Sequence, residues 1–124
     1  MILDSGVIIE ILRGNSATIA WLRAQRANQV ALCYSPVSRA EIRAGSRKAE
    51  RSTISALFAS LTALPIEAST GEIAGEQLAE FGRSHGVQMG DAVIAATAIE
   101  RADDLATFNA KHFPGVQRIV KPKR

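Results

Sequence analysis

The sequence predicts an α/β fold in which a central, mainly parallel, twisted sheet of four to five strands is flanked by helices. The first observation is that short apolar runs alternate with longer segments whose apolar residues follow the helical period. The second is that no internal repeat, low-complexity segment or Pro/Gly/Ser-rich linker interrupts this order. Because parallel strands need crossover connections, such alternation favours three layers, with helices on both faces of the sheet.

The predicted strands are short, and the third and last are weakly marked. Strands are predicted at residues 1–3, 30–34, 64–66, 105–107 and 119–120. Helices are predicted at residues 6–13, 16–27, 36–45, 48–62, 69–84 and 91–101. With one Trp, one Tyr and four Phe, the chain offers no base-stacking platform, and we expect Trp21, Phe58 and Phe81 in the core or in an interface.

Length and composition predict one soluble domain. At 124 residues the chain can bury a core without staples, and we expect a single domain over residues 1–124 with a short basic tail at 121–124. The lone Cys33 lies in an apolar run, which excludes a disulfide framework and favours a reducing compartment. The sequence contains no signal peptide and no apolar stretch of membrane-spanning length. We therefore expect a cytoplasmic protein without membrane contact.

The excess of positive charge is concentrated in the tail. The chain has 15 Lys and Arg against 12 Asp and Glu, and without Lys121, Lys123 and Arg124 the balance is 12 against 12. Such a tail either attracts a phosphate backbone or is a solvated end, and the sequence leaves both open. The same two interpretations apply to a denser basic segment, made of Arg39, Arg43, Arg47, Lys48 and Arg51.

Three polar residues fall where an open α/β sheet places its chemistry. Asp4 follows the first strand, Asp91 opens the last predicted helix, and Asn109 follows the strand that ends at Thr107. Ligands bind beyond the carboxyl ends of parallel strands, and helix N-termini there favour anions. We expect these side chains to converge on one crevice.

Glu41 joins this group through the periodicity of the predicted helix at 36–45. It lies on the same face as Val37 and Ala44, whereas the arginines of the segment form a stripe on the other side. A carboxylate turned inward among small residues costs several kcal/mol unless a cation or a donor compensates it. We therefore expect Glu41 to face inward, toward such a group.

Three carboxylates in one crevice point to a metal ion. They would raise one another's pKa, and a hard divalent cation with oxygen ligands relieves this repulsion. Mg²⁺, with Mn²⁺ as a substitute, is the expected cofactor, because no Cys/His cluster has zinc spacing. Taken singly, each acid also has a structural alternative: Asp91 as a helix cap, Asp4 as a turn residue and Glu41 as a paired or snorkelling acid.

Four segments carry a family resemblance. They are ILDSGVIIE at 2–10, SPVSRAEIRAG at 35–45, GDAVIAA at 90–96 and LATFNAKHF at 105–113. In this order, over the whole chain, they resemble PIN-domain proteins of the VapC type. The resemblance implies a PIN-like sheet flanked by helices, with Asp4, Glu41 and Asp91 as the acidic metal site. Asn109 departs from the pattern, since family members often carry a fourth acid there.

The resemblance also implies an activity and partners. It implies a Mg²⁺-dependent endoribonuclease, the toxin of a VapBC-type toxin–antitoxin pair, with RNA as its substrate. It further implies a homodimer, a cognate VapB-type antitoxin, and DNA contact only through that antitoxin. The expected mechanism is metal-assisted hydrolysis of a phosphodiester, with Asp4, Glu41, Asp91 and Asn109 as catalytic residues and one carboxylate as the general base.

Several alternatives stay open. Ser5 and Thr107 either hydrogen-bond to a ligand carboxylate or to the scissile phosphate, or they satisfy local backbone groups. A catalytically weak binding or regulatory module is a second functional class, supported only by Asn109. A phosphatase with an aspartate nucleophile is disfavoured, because Gly6 stands where its second acid would be.

Overall fold

The centre of the molecule is a five-stranded parallel sheet. The computed structural model describes residues 1–124. The strands are β1 (Ile2–Leu3), β2 (Cys33–Tyr34), β3 (Thr62–Ala63), β4 (Leu105–Ala106) and β5 (Ile119–Val120), in the order β3-β2-β1-β4-β5. β1 is the central strand, since Ile2 pairs with Cys33 on one side and with Leu105 on the other. The predicted parallel sheet is confirmed.

Six helices connect and cover the strands. They are α1 (Ser5–Leu12), α2 (Ser16–Ala27), α3 (Pro36–Ala44), α4 (Arg51–Ala59), α5 (Ala68–Phe81) and α6 (Met89–Arg101). Short 3-10 turns lie at Lys48–Glu50 and Ala110–His112. None of the helices combines the length and the hydropathy that a membrane span needs.

The two residues of β1 divide the core between the two faces of the sheet. Leu3 packs in one buried cluster with Trp21 and Phe58, and Ile2 packs in another with Ile94 of α6. Successive side chains of a strand point to opposite faces, so each face of β1 is covered by its own layer of helices. Two of the aromatic residues expected in the core, Trp21 and Phe58, are there.

The starts of the first three helices follow from local sequence. The Asp4 carboxylate accepts a hydrogen bond from Ser5 N at the start of α1. Asn15 Oδ1 accepts one from Thr18 N at the start of α2. Ser35 caps α3 in the same way, and Pro36 follows it at the first helical position. These side chains satisfy N–H groups that have no partner within the helix.

The third strand lies two residues earlier than predicted. Leu64, the predicted first residue, still donates its N–H to Tyr34 O at 2.9 Å, but Pro65 has no N–H with which to continue the pairing. Both residues of β3 are exposed at the edge of the sheet. The apolar pattern therefore did not mark them.

The helices predicted at 48–62 and 91–101 have different boundaries in the structure. The segment predicted as one helix at 48–62 divides into a 3-10 turn and α4, and α4 ends at Ala59 because Thr62 already pairs with the sheet. α6 begins at Met89, so Asp91 lies within its first turn and does not open the helix. The negative charge of Asp91 still lies at the positive end of the helix dipole.

Phe58 provides a test of this core. Its ring is 1% exposed, lies 4.7 Å from the ring of Tyr34, and is covered by the Arg39 guanidinium at 5.3 Å. We expect Phe58→Ala to lower the free energy of unfolding by about 3–5 kcal/mol, because a buried cavity replaces the ring. Ser55→Ala, on the exposed side of the same helix, should change it by less than about 0.5 kcal/mol. Urea denaturation measures both, and similar losses in the two variants would contradict this account of the core.

Candidate active site

A crevice of about 520 Å³ brings the four predicted site residues together. Its lining includes Asp4, Glu41, Asp91 and Asn109. Asp4 and Asn109 follow the neighbouring strands β1 and β4, whereas Glu41 comes from α3 and Asp91 from α6. The crevice therefore lies at the carboxyl edge of the sheet, where parallel α/β folds bind their ligands.

Asp4 is held at the base of this crevice by two hydrogen bonds. It is buried, and its Oδ1 accepts from Ser5 N at 2.8 Å while its Oδ2 accepts from Thr107 Oγ1 at 2.7 Å. Burial raises the pKa of Asp4, the bonds from Thr107 and Ser5 oppose the rise, and the negative charge of Asp91 adds to it. Asp4 is thus a fixed carboxylate whose charge is only partly compensated.

Glu41 faces the crevice but is not buried. Its Oε1 lies 3.4 Å from Ser5 Oγ, yet the residue is exposed and forms no ion pair. Glu41 was expected to face inward and be buried. Its carboxylate does face the crevice, but the predicted burial is wrong, because the crevice itself is open to water. Partial desolvation raises the pKa of Glu41, the Ser5 hydroxyl opposes this, and the charges of Asp4 and Asp91 add to the rise.

Asp91 has a capping role as well as a place in the crevice. Its Oδ2 accepts from Gln88 N at 3.2 Å and lies 3.7 Å from His112 Nδ1. Asp91 therefore also acts as a helix cap, which was the structural alternative for this residue. The two roles are compatible, since a carboxylate has room for several donors.

Asn109 is fixed from two sides. Its backbone N–H donates to Thr107 Oγ1 at 3.0 Å, and its Nδ2 lies 2.9 Å from His112 Nδ1. The 3-10 turn at Ala110–His112 brings the imidazole back over Asn109. His112 was not predicted from the sequence as part of the site. The spacing of three residues from Asn109, one 3-10 turn, was the available signal.

The serine and threonine side chains around the acids form part of the site. Thr107 Oγ1 donates to Asp4 and accepts from Asn109 N, so it connects two predicted site residues. Ser5 Oγ lies 2.8 Å from Ser38 Oγ and within reach of Glu41. Both hydroxyls thus contact a carboxylate of the predicted site, and Thr107 also satisfies the backbone N–H of Asn109, so Thr107 combines the two interpretations. Ser38 is buried and was not predicted, because the prediction for this helix segment considered its apolar and charged residues and not its serines.

The donor set fits a hydrated magnesium ion better than a closed metal cage. No group of three acidic, histidine or cysteine side chains is close enough to enclose an ion, and hydrogen bonds hold Asp4 and Asp91 in place. Mg²⁺ usually keeps several waters and takes only one or two carboxylates directly. The crevice offers oxygen ligands, and two of its carboxyl groups have raised pKa values. Such a set of groups suits a hydrated magnesium ion.

Only part of the basic segment is free for a ligand. Arg39 donates to Tyr34 Oη at 3.2 Å and lies over the Phe58 ring, so it supports the core. The other members of the segment are exposed, and they are Arg43, Arg47, Lys48 and Arg51. Solvation and phosphate binding both remain open for these four.

Fold and crevice together define an α/β protein with an acidic site at the carboxyl edge of a parallel sheet. The PIN domain model matches residues 1–118, and the chain belongs to the PIN-domain family.

Individual relatives agree with this assignment. The chain is 37% identical over 123 residues to Ribonuclease VapC10 of Mycobacterium tuberculosis, covering 98% of this chain and 92% of the relative. A toxin–antitoxin complex from Klebsiella pneumoniae contains a chain that is 25% identical, with a TM-score of 0.77 and coverage of 98% and 96%. A DNA-bound VapBC from Salmonella typhimurium shares the fold at 23% identity, with a TM-score of 0.81 and coverage of 96% and 95%. The VapC-type resemblance and the PIN-like fold are confirmed.

Gly90 allows α6 to approach Glu41 closely. A Cβ at this position would lie 3.2 Å from Glu41 Oε1 and 3.5 Å from Val37 Cγ1. We expect Mg²⁺ to raise the Tm by binding to the folded protein. We also expect Gly90→Ala to displace the Glu41 carboxylate and to raise severalfold the Mg²⁺ concentration that half-saturates this rise. The free energy of unfolding should change by less than about 1 kcal/mol, because alanine is the better helix former. Gly75→Ala, where a Cβ meets open space, is the control, and an unchanged Mg²⁺ midpoint in Gly90→Ala would contradict the expectation.

The raised pKa of Asp4 predicts a pH dependence of stability in the presence of EDTA. Above its ordinary pKa of 3.8, the unfolded chain releases this proton while the folded chain still holds it, so the free energy of unfolding falls as pH rises toward the folded-state pKa. Asp4→Asn lacks this contribution. Its Tm should therefore fall less than that of the unmodified protein between about pH 4 and 7. Glu72→Gln, an exposed acid on α5, serves as control, and parallel Tm profiles for all three proteins would show that Asp4 is not destabilised by burial.

Proposed function

We propose that the chain is a Mg²⁺-dependent endoribonuclease that hydrolyses RNA phosphodiester bonds as the toxin of a VapBC-type pair. The observation that carries the proposal is the convergence of Asp4, Glu41, Asp91 and Asn109 on one open crevice. The relative named Ribonuclease VapC10 supports the activity, and the toxin–antitoxin complex from Klebsiella pneumoniae supports the biological role.

The three acids have different roles, which follow from their hydrogen bonds. Asp4 and Asp91, which are already fixed by donors, would hold Mg²⁺ or Mn²⁺ together with Glu41. A divalent cation supplies Lewis-acid activation of water and stabilises the charge that grows on the phosphoryl oxygens. Asn109 offers an amide oxygen as a ligand or as an acceptor for water.

Glu41 is the best candidate for the general base. The only hydrogen-bond partner of its carboxylate is the Ser5 hydroxyl at 3.4 Å, and its raised pKa suits proton acceptance. The attacking water gives its proton to Glu41 as its oxygen bonds to phosphorus. The bond from phosphorus to the departing ribose oxygen breaks, and that oxygen takes a proton from solvent.

A second groove supports a VapB-type antitoxin as the partner. It measures about 470 Å³ and lies between α1, α3 and α4, with Ile9, Leu12, Ile42 and Ile54 in its lining. It shares Ile9, Arg13 and Glu41 with the crevice. An antitoxin segment could therefore cover the groove with apolar residues and place an Arg or Lys against the acids.

Three further features complete the proposal. DNA contact occurs only through the antitoxin, which is in keeping with the DNA-bound VapBC assembly from Salmonella typhimurium. The chain forms a homodimer, for which the large exposed apolar side chains are candidate contacts, namely Ile66, Met89 and Ile99. The protein acts in the cytoplasm, where its RNA substrates are found.

Cleavage by the purified protein tests the function. Incubated with single-stranded RNA and Mg²⁺, the unmodified chain should produce discrete new ends, and EDTA should abolish them. Asp4→Asn should lower the rate by on the order of a hundredfold or more, because a charged ligand is lost from the metal site. Mg²⁺ should also raise the Tm of the unmodified protein but not that of Asp91→Asn.

The control is Glu72→Gln, which removes an exposed acid far from the crevice. Equal cleavage by Asp4→Asn and Glu72→Gln would point to a contaminating nuclease. RNA binding without any cleavage by the unmodified chain would favour the binding-module alternative.

A further inference from the structure

The basic tail is docked on the protein along its backbone. After β5, Pro122 is buried, and the carbonyl oxygen of Lys123 accepts a hydrogen bond from Thr18 Oγ1 at 2.7 Å. Thr18 is fully buried, and Asn15 Oδ1 fixes its backbone N–H. The path of the chain into Arg124 is therefore set by a buried anchor. This backbone is not a freely solvated end, although the basic side chains of the tail are exposed.

The anchor places Arg124 at the acidic crevice. Its guanidinium lies 4.6 Å from the centre of the Phe108 ring, and Arg124 lines the same crevice as Asp4 and Asp91. Phe108 stands between Thr107 and Asn109, so the ring that supports the guanidinium belongs to the loop that completes the site. Contact with an aromatic face restricts the guanidinium while leaving its N–H donors free.

Arg124 is also the unpaired cation of the crevice. The other cation in the lining, Arg13, pairs with Glu10 at 3.5 Å. Arg124 takes part in none of the ion pairs of the structure. A guanidinium that blocked the site would pair with its carboxylates. This one stands beside them with its donors unused.

The substrate explains why a cation is useful there. An RNA strand that approaches three carboxylates brings further negative charge, and a fixed arginine beside the crevice compensates part of the repulsion. The guanidinium fork also matches the oxygens of a phosphate in geometry. An exposed lysine elsewhere on the tail provides the same charge but not the same position.

We propose that Arg124 is a substrate-binding residue, which holds a backbone phosphate of the RNA next to the scissile bond at the mouth of the acidic crevice. This inference rests on the proposed ribonuclease function, since it assigns the position of that substrate. It makes the basic tail part of the active site and gives the fold a phosphate contact supplied from beyond the last strand.

The experiment compares Arg124→Ala with Lys121→Ala, which removes an equal charge from the same tail outside the crevice lining. Binding of a short fluorescein-labelled single-stranded RNA is followed by anisotropy in EDTA over a series of KCl concentrations. For Arg124→Ala we expect binding weaker by about tenfold and a salt slope smaller by about 0.7, the value for one lost phosphate contact on a single strand. Lys121→Ala should keep both values close to those of the unmodified chain.

Cleavage in Mg²⁺ provides a second measurement. Arg124→Ala should raise KM by a factor similar to the loss of binding, with kcat nearly unchanged, and Arg124→Lys should recover only part of it. Equal salt slopes for Arg124→Ala and the unmodified chain would overturn the proposal. Tighter RNA binding or faster cleavage by Arg124→Ala would also overturn it, because Arg124 would then obstruct the crevice. If the unmodified chain binds RNA but never cleaves it, the ribonuclease function fails, while the salt slopes still decide the role of Arg124.

Discussion

The hydrogen bond between Thr107 Oγ1 and Asp4 Oδ2 is the contact on which the geometry of the site depends. It joins the ends of the two adjacent strands β1 and β4 across 103 positions of sequence. The same oxygen accepts the N–H of Asn109, so one hydroxyl fixes a buried carboxylate and the loop beside it. A hydrogen bond to a charged, buried group is worth about 1.5–3 kcal/mol. Loss of this bond would free both sides of the crevice.

The site has a rigid half and an adjustable half. Asp4 and Asn109 are both hydrogen-bonded to Thr107 Oγ1. Glu41 extends from α3 into water, and its carboxylate is hydrogen-bonded only to Ser5, at 3.4 Å. Burial and like charges raise the pKa values of Asp4 and Glu41. Without a cation, the crevice therefore holds unfavourable electrostatic energy. In the proposed function, the bound cation would relieve part of this energy.

The sequence predicted the positions that depend on topology. Asp4 and Asn109 follow strands, and parallel strands bring their carboxyl ends to one edge, so no side-chain detail was needed. Helical periodicity predicted the face of α3 on which Glu41 lies but not how far the side chain is buried. The period identifies a face of the helix, whereas burial depends on the shape of the surrounding surface. β3 was misplaced since its exposed residues carry no apolar pattern.

Other parts of the site left no periodic signal. His112 reaches Asn109 through a single 3-10 turn, and such turns are too short to show a period. The position of Arg124 depends on the hydrogen bond from the Thr18 side chain to the Lys123 carbonyl, and these two residues are 105 positions apart. Any residue can supply the carbonyl, so the sequence at Lys123 does not reveal the contact. Long-range contacts to the backbone are the part of this fold that residue types alone do not encode.

The central position of β1 has a consequence for the order in which the fold forms. Its partner β4 and the hydroxyl that fixes Asp4 lie 103 positions further along the chain. Contacts so distant in sequence form late, because a long loop must close before they contribute. A folding chain can thus form its local helices while Asp4 still lacks the neighbours that complete the crevice. The acidic centre therefore assembles only after two segments that are 103 positions apart have met.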